Sequence, residues 1–315
     1  MMSSLSKMQH PKVAIITSTL NQEENLRKCL RSLKKNANYK DYKMYFVDDS
    51  GTGEIAKRIK KEFPWVDVSS NKKNEGYSTS NNFLVKKATK EYNPDYILHI
   101  DDDTEIIDKN WLGGMIEFGE RSKDIGIIGC KIIYPDGSLQ WFFKDGKINF
   151  LGERNNIEEV KETFGIYELK EVIGACLLVK RKVIDEIGFL DEKFNPAYRE
   201  ESDFCFRARK RGFKIFYFGK TKLIHHGGSS TKQVKDWIWQ IKKRNAIRLE
   251  WLNYGILNII WHTFIHIGSA LSSNKPFSNM KMLVAAYKEN FGNIKEIIEK
   301  RKERNSWRHQ KRPTF

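Results

Sequence analysis

Runs with the character of buried strands alternate with helical runs through the first third of the chain, and two of the strands end in carboxylates. KVAIITSTL (12–20) is apolar, β-branched and bounded by polar residues. The next segment, NQEENLRKCLRSLKKNA, carries Leu26, Leu30 and Leu33 at helical spacing. KMYFVDDSGTG reads as a second strand, ending at Asp48 and Asp49 before a glycine turn, and GEIAKRIKKEF is helical again. VDVSSNKKNEGY is a short strand and loop, and STSNNFLVKKATKEY is a helix. DYILHIDDDTEI is a strand ending in Asp101, Asp102 and Asp103. Strands alternating with helices of this length predict βαβ units and a mostly parallel α/β sheet. Ligands of such sheets bind outside the carboxyl ends of the strands, so both acidic clusters belong at one edge.

Further along, NWLGGMIEFGERS predicts a short helix, and IGIIGCKIIYPDGSLQWFF predicts a strand, a turn and a second strand. Residues 144–170 read as a variable loop or small hairpin. EVIGACLLVKRKVIDEIGFLDEKF predicts a strand, a helix and a turn, and SDFCFRARKRG a helix ended by Gly212. FKIFYFGKTKLIHHGG predicts a strand pair reaching His225, His226, Gly227 and Gly228. From Lys232 onward the chain reads as helical and basic. The 315 residues suit one sizeable domain over 1–231 and a helical extension over 232–315. Hydrophobic residues at 40% argue for a packed core and against wholesale disorder. The net charge of +16 implies an anionic partner: nucleic acid, a phosphorylated small molecule or an acidic membrane surface. Cys29, Cys130, Cys176 and Cys205 form no C-x-x-C pair and read as reduced core thiols suited to a reducing cytosol. MMSSLSKMQHPK has no apolar core of a secretory signal. GILNIIWHTFIHIGSAL (255–271) is short for a membrane span, which leaves a buried helix or one lying in a membrane interface.

Four constellations can carry chemistry. Asp101 and Asp103, one residue apart at a strand end, can share a hard divalent cation that grips phosphate oxygens, although a solvated strand end also tolerates acids. Asp48 and Asp49 can accept hydrogen bonds from a nucleobase or ribose, or close an Asx turn. Glu200, Glu201 and Asp203 open a helix that ends in Arg207, Arg209 and Arg211. That order suits the helix dipole and also places a general base at a helix start. In LIHHGGSS, imidazole can complete a metal shell while the glycines let backbone approach a ligand.

Taken in order, these segments resemble the inverting nucleotide-sugar glycosyltransferases of family 2, with the GT-A fold, over roughly residues 11–230. The branch with rhamnosyltransferase-like enzymes is most similar. VAIITSTLNQEENLRKCLRSL resembles the opening strand and helix, and FVDDSGTG the second strand, whose aspartate contacts the base or ribose. NEGYSTSNN resembles the segment beside the nucleotide, IDDDTE the metal-binding D-x-D, YREESDFCFRARKRGFKI the segment with the catalytic base, and LIHHGGSS the closing histidine segment. The resemblance implies a Rossmann-like mostly parallel sheet flanked by helices, with a C-terminal helical extension. It implies nucleotide contacts at Thr17, Asn21, Asp48, Asn74, Gly76, Asn81 and Asp102. Metal ligands are implied among Asp101, Asp103, His225 and His226, holding Mn²⁺ or Mg²⁺. The family usually has Glu-Asp where this chain has Glu200-Glu201, so Glu201 aligns with the base, with Glu200 and Asp203 as further candidates.

The implied activity is metal-dependent transfer of a sugar, with inversion, from a nucleoside diphosphate sugar to a hydroxyl of a glycan or lipid-linked acceptor. The setting implied is polysaccharide, glycolipid or glycoprotein glycan assembly. The expected location is cytoplasmic. Trp237, Trp239, Trp251 and Trp261, with lysines nearby, either seat the C-terminal helices on an anionic membrane at its inner face or belong to a helical cap. Two other classes fit less well. A nucleotidyltransferase acting on sugar phosphates needs a glycine-rich loop after the first strand, where this chain reads STLNQEEN. A nucleic-acid-binding protein would explain the charge, but the basic residues are scattered, so nucleic acid is not an expected partner.

Overall fold

The computed structural model describes residues 10–144, 147–150, 164–227 and 235–307. Strand β1 (Val13–Thr19) is buried over almost its whole length and lies parallel to β2 (Tyr42–Asp48) and β4 (Tyr96–Ile100). β3 (Val66–Ser70) adds parallel to β2. Helices α1 (Glu23–Asn36), α2 (Glu54–Glu62) and α3 (Tyr77–Tyr92) make the crossovers. In α1, Leu26, Cys29, Leu30 and Leu33 form one buried stripe. Glu23 and Glu24 sit in its first turn and Lys34 and Lys35 in its last, as the helix dipole favours.

The second half runs β5 (Thr104–Ile106), α4 (Trp111–Gly119), β6 (Ile125–Ile133), a hairpin of β7 (Trp141–Lys144) and β8 (Lys147–Phe150), and β9 (Ile166–Leu169). It continues with β10 (Cys176–Lys180), α5 (Arg181–Ile187), α6 (Glu200–Lys210) and β11 (Lys214–His225). The sheet order is β3-β2-β1-β4-β10-β6-β11-β5, with β9 also paired to β11. β1–β4, β6 and β11 run one way; β5, β9 and β10 run the other. The sheet is therefore mixed and mostly parallel. β10 is reversed because the described chain between β6 and β10 supplies a hairpin and an edge strand but no crossover helix.

Two expectations change. The strand pair after Gly212 is one strand, β11, with a register shift between Phe218 and Lys222. Gly219 lies in that shift, where a bulge bends the strand without breaking it. The segment 144–170 contains part of the small hairpin and also an edge strand, β9, while residues 151–163 lie outside the described residues. The four cysteines are buried and unbridged.

Helices α7 (Lys235–Asn253), α8 (Ile256–Leu271), α9 (Pro276–Gly292) and α10 (Ile294–Ser306) follow. The expected boundary at 231/232 falls outside the described residues. The helices share an apolar cluster of Ile247, Ala270, Leu283 and Ala286, with Trp239 and Trp251 packed against it. They are pinned by polar groups to the segment that leads into α6. Asn245 Nδ2 donates to the carbonyls of Phe194, Ala197 and Tyr198 at 2.7, 2.8 and 2.9 Å. Arg248 and Lys300 each reach Asp191 at 2.9 Å. No helix among the described residues is long and apolar enough to cross a membrane.

Candidate active site

The β1–β2 register sets Thr19 opposite Asp48, and β4 ends one residue before Asp101. The carboxyl ends of β1, β2 and β4 thus share one edge, and the Thr19 hydroxyl ties two of them by donating to Asp102.

Asp101, Asp103 and His225 converge there, each offering one ligand atom, with all three atoms within 4.8 Å of one another. His225 Nε2 lies 3.0 Å from Asp103 Oδ1 and 3.5 Å from Asp101 Oδ2. Asp103 is fixed by its second oxygen, which accepts the Gly227 N–H at 3.0 Å. Gln140 Oε1 accepts from His225 Nδ1 at 2.5 Å, which leaves Nε2 facing the carboxylates. Burial would lower the His225 pKa, but the hydrogen bond to Asp103 and the charges of Asp101, Asp103 and Asp102 outweigh it and raise it. Asp102 is pushed up to about 8 by burial, against the Thr19 hydrogen bond and with Asp103 and Asp101 adding. Two carboxylates and an imidazole suit Mn²⁺ and leave coordination positions for a phosphate-bearing ligand; Mg²⁺ favours oxygen alone. His226 does not join them. Its Nε2 pairs with Glu105 Oε1 at 2.6 Å, because neighbouring extended residues face opposite ways.

Glu200 and Glu201 open α6, each with Oε2 buried and without a hydrogen-bond partner among the described residues. Burial pushes Glu201 up to about 7; its own backbone and Arg199 oppose the rise, while Glu171 and Asp101 add to it. Burial and the charge of Glu201 push Glu200 well above the carboxylate range. A Cβ at Gly174 would stand 3.8 Å from Glu201 Cδ and 3.6 Å from Tyr77 Oη, so a residue without a side chain keeps that space open. Tyr77 Oη donates to Asp101 Oδ1 at 3.3 Å and lies 3.0 Å from His99 Nε2. His99 Nδ1 in turn lies 2.9 Å from the Gly174 carbonyl. Burial holds His99 below its ordinary value, so it is neutral, with Nδ1–H donating to the carbonyl, and the one Tyr77 hydroxyl proton is shared between His99 Nε2 and Asp101 Oδ1. One wall therefore runs from Glu201 past Tyr77 to the acidic cluster.

Asp203 is not on this wall. It is fully buried and salt-bridged to Arg207 at 2.8 Å and Arg304 at 2.6 Å, and it accepts from Asn253 at 3.0 Å. Against its burial, these arginines hold its carboxyl below the usual range. It anchors α7 and α10 to α6, which removes it as a base.

The expected nucleotide-side residues divide. Asp48 is fully buried and spends both oxygens on backbone, accepting from Ser50 N at 3.0 Å and Ala56 N at 3.1 Å. Those are the bonds of an Asx turn and a helix start, so its carboxylate is not presented to a base or ribose. Asp49 accepts from Asn71 Nδ2 at 2.6 Å, Glu75 N at 2.9 Å and Gly76 N at 3.0 Å, fixing the loop before α3. Gly76 has φ +88°, and a Cβ there would meet Asn195 Cγ at 2.6 Å. Asn74 is exposed, with Oδ1 accepting from Gly76 N at 3.0 Å. Asn81 is buried, donating to Ser18 Oγ at 3.2 Å, with Oδ1 unpartnered among the described residues; Thr17 Oγ1 is likewise buried and unpartnered. Asn21 is exposed just past β1, with φ +60°.

Sequence reasoning missed Gln140, His99 and Tyr77 as site-building residues, and it offered Asp49 as a nucleotide contact or turn former rather than as the anchor of the loop before α3. Tyr77 stood inside the quoted motif NEGYSTSNN. Gln140 and His99 carried no local signal, since their roles arise only from contacts across the sheet.

A family model described as Glycosyl transferase family 2 matches residues 14–188. The segment with Glu200, Glu201 and His225 lies beyond that match. Among curated proteins, O-antigen biosynthesis protein RfbC of Myxococcus xanthus is 26% identical over 234 residues, covering 70% of this chain and 18% of that protein. Low-salt glycan biosynthesis hexosyltransferase Agl10 of Haloferax volcanii is 26% identical over 193 residues, covering 57% of each. The chain thus spans less than two thirds of either relative. Among solved structures, the mannosyltransferase PcManGT from Pyrobaculum calidifontis, in complex with GDP-Man and Mn²⁺, has a TM-score of 0.58. It is 11% identical, and the match covers 96% of this chain and 84% of that one, which speaks for a shared fold.

Proposed function

The chain belongs to glycosyl transferase family 2, and from that premise we propose that it moves a hexose or deoxyhexose from a nucleoside diphosphate sugar to an acceptor hydroxyl, with inversion. The observation that carries this reading is the buried, unpartnered Oε2 of Glu201 on the same wall as the Asp101–Asp103–His225 cluster. Those three residues would hold Mn²⁺ or Mg²⁺, which when bound offsets the charge of a departing diphosphate. Gln140 keeps His225 Nε2 turned inward, and Tyr77 orients Asp101. Glu201 accepts the proton of the acceptor hydroxyl; its buried setting brings its pKa near the working pH, where a general base is most effective.

On the donor side, Asp48 and Asp49 act by fixing the loops rather than by touching the nucleotide. Thr17, Asn21, Asn74, Gly76 and Asn81 line the nucleotide side, and Asp102 is held by Thr19. Residues 1–231 are the catalytic part and 232–315 the extension, whose helices α7 to α10 steady the segment before Glu200. Assembly of a surface polysaccharide or glycan is supported by the O-antigen and glycan-biosynthesis names of the relatives; a rhamnose-type sugar is the first donor to try on the sequence resemblance to rhamnosyltransferase-like enzymes alone. The acceptor is a glycan or a lipid-linked sugar.

The product's anomeric configuration, read by NMR, tests the reading. Inversion is expected, and Glu201→Gln should lower kcat by about 10²–10⁴-fold while nucleotide affinity stays unchanged. A retained configuration, or a Glu201→Gln enzyme of normal rate, contradicts it.

A further inference from the structure

Helix α8 carries no Asp, Glu, Lys or Arg, and its outward face is apolar. Leu257, Trp261 and Phe264 are 78%, 64% and 64% exposed, with Ile256, Ile260, Ile265 and Leu271 also exposed. They recur at helical spacing on the side away from His266 and Ala270, which are buried. On α9 and α10, the exposed apolar residues Phe277, Val284, Phe291 and Ile298 recur every seven positions. Exposed lysines follow each of them by four: Lys281, Lys288, Lys295 and Lys302. Within α9 Lys281 and Lys288 neighbour Phe277 and Val284, and within α10 Lys302 neighbours Ile298, so cations flank the apolar groups on each helix, with Glu299 also exposed on α10. Between α8 and the α9–α10 pair lies an open groove of about 800 Å³, lined almost wholly by apolar side chains, among them Ile259, Met280, Leu283 and Ile297. A contiguous apolar surface of this kind marks an interaction site rather than ordinary surface.

We propose that the α8–α9–α10 face docks on a lipid bilayer that contains anionic lipid, with α8 lying in the headgroup–acyl boundary and acyl chains filling the groove. Charge chooses this occupant over a second copy of the chain. Pairing two such faces brings lysine rows of like sign together, whereas an anionic leaflet attracts them. Length supports the orientation. α8 has 16 residues, too few to span and enough to lie in the plane of the interface. The expected membrane role of the tryptophans is thereby relocated. Trp239 and Trp251 pack inside the helical layer, while Trp261 stands on the docking face. The inference does not depend on the transferase reading, because its test needs no substrate.

The test is flotation of the full chain with phosphatidylcholine vesicles and with vesicles containing phosphatidylglycerol. The protein is expected to float with the anionic vesicles and to lose binding as salt is raised. Trp261→Ser combined with Phe264→Ser should lower partitioning about 100-fold, and Lys281→Glu combined with Lys288→Glu about tenfold. All four positions are exposed, so unchanged thermal unfolding is expected. Should a variant fail to fold, quenching of wild-type tryptophan fluorescence by brominated lipid, diminished in Trp261→Phe, reads the same contact. Absence of flotation with anionic vesicles overturns the proposal, as does flotation that survives both double substitutions. A dimer that Trp261→Ser and Phe264→Ser dissociate, in a protein that ignores vesicles, assigns the face to a second copy instead.

Discussion

Glu201 and Asp203 stand two positions apart on α6, about 200° around the helix. That rotation separates a carboxylate with one unpartnered oxygen from one held by two arginines. The sequence shows three acids at a helix start, but it cannot show which side of the helix meets Arg304, about a hundred residues later. Histidines 225 and 226 divide in the same way, one to the aspartates and the other to Glu105. At this scale the residue types of the site were legible, while their division between chemistry and scaffolding was not. Glu201 gives a prediction of its own. Its pKa near 7 requires activity to rise with pH, with kcat/KM climbing about tenfold per unit below 7 and levelling above it. A pH profile flat between 5.5 and 8 would remove Glu201 as the base. Because burial disfavours the charged carboxylate, its removal should also help the fold at high pH, so Glu201→Gln is expected to unfold at a higher temperature than wild type at pH 8.

The strands and helices of the first half were legible because periods of two and 3.6 are local properties. β10 was legible as a strand, but not its direction, because the apolar run CLLVK is the same read either way. The link between α6 and the C-terminal helices was invisible in sequence, since Asp191, Asp203, Asn245 and Arg304 find one another only in the fold. Its energetics are testable. Asp203→Ala leaves Arg207 and Arg304 buried without their carboxylate, a loss of about 3–5 kcal/mol that should lower the unfolding midpoint by on the order of 10 °C. The pH sign follows from the depressed pKa. The contribution of Asp203 is complete above its ordinary value of 3.8 and is lost as pH falls through its folded-state value. Asp191, held down by Arg248 and Lys300 against its burial, behaves alike. Acid titration followed by circular dichroism should therefore show the helical layer failing below pH 4, and Asp203→Ala should flatten that dependence.

At the scale of the whole molecule, the sheet gathers an acidic cluster at one edge of a strongly basic protein. The charge of +16 belongs to the whole chain, yet Asp101, Asp102 and Asp103 follow one another at the end of β4, beside the ends of β1 and β2. Composition implied an anionic partner; the acids themselves were legible as a run, and their place beside the ends of β1 and β2 came from strand order, which a βαβ pattern predicts. The helical layer was legible as helix, but its exposed apolar face was not, because periodicity does not say which side of a helix the rest of the chain will cover. The central claim is that Asp101, Asp103 and His225 hold a divalent cation together with a nucleoside diphosphate. Thermal unfolding with UDP, dTDP, GDP and CMP, each with and without Mn²⁺, tests it most directly. A ligand at 100 times its Kd adds about 2.7 kcal/mol, a shift of several degrees. A Mn²⁺-dependent shift with one diphosphate, abolished by Asp103→Ala, is the predicted result; no shift with any nucleotide, or one that Asp103→Ala leaves intact, would contradict it.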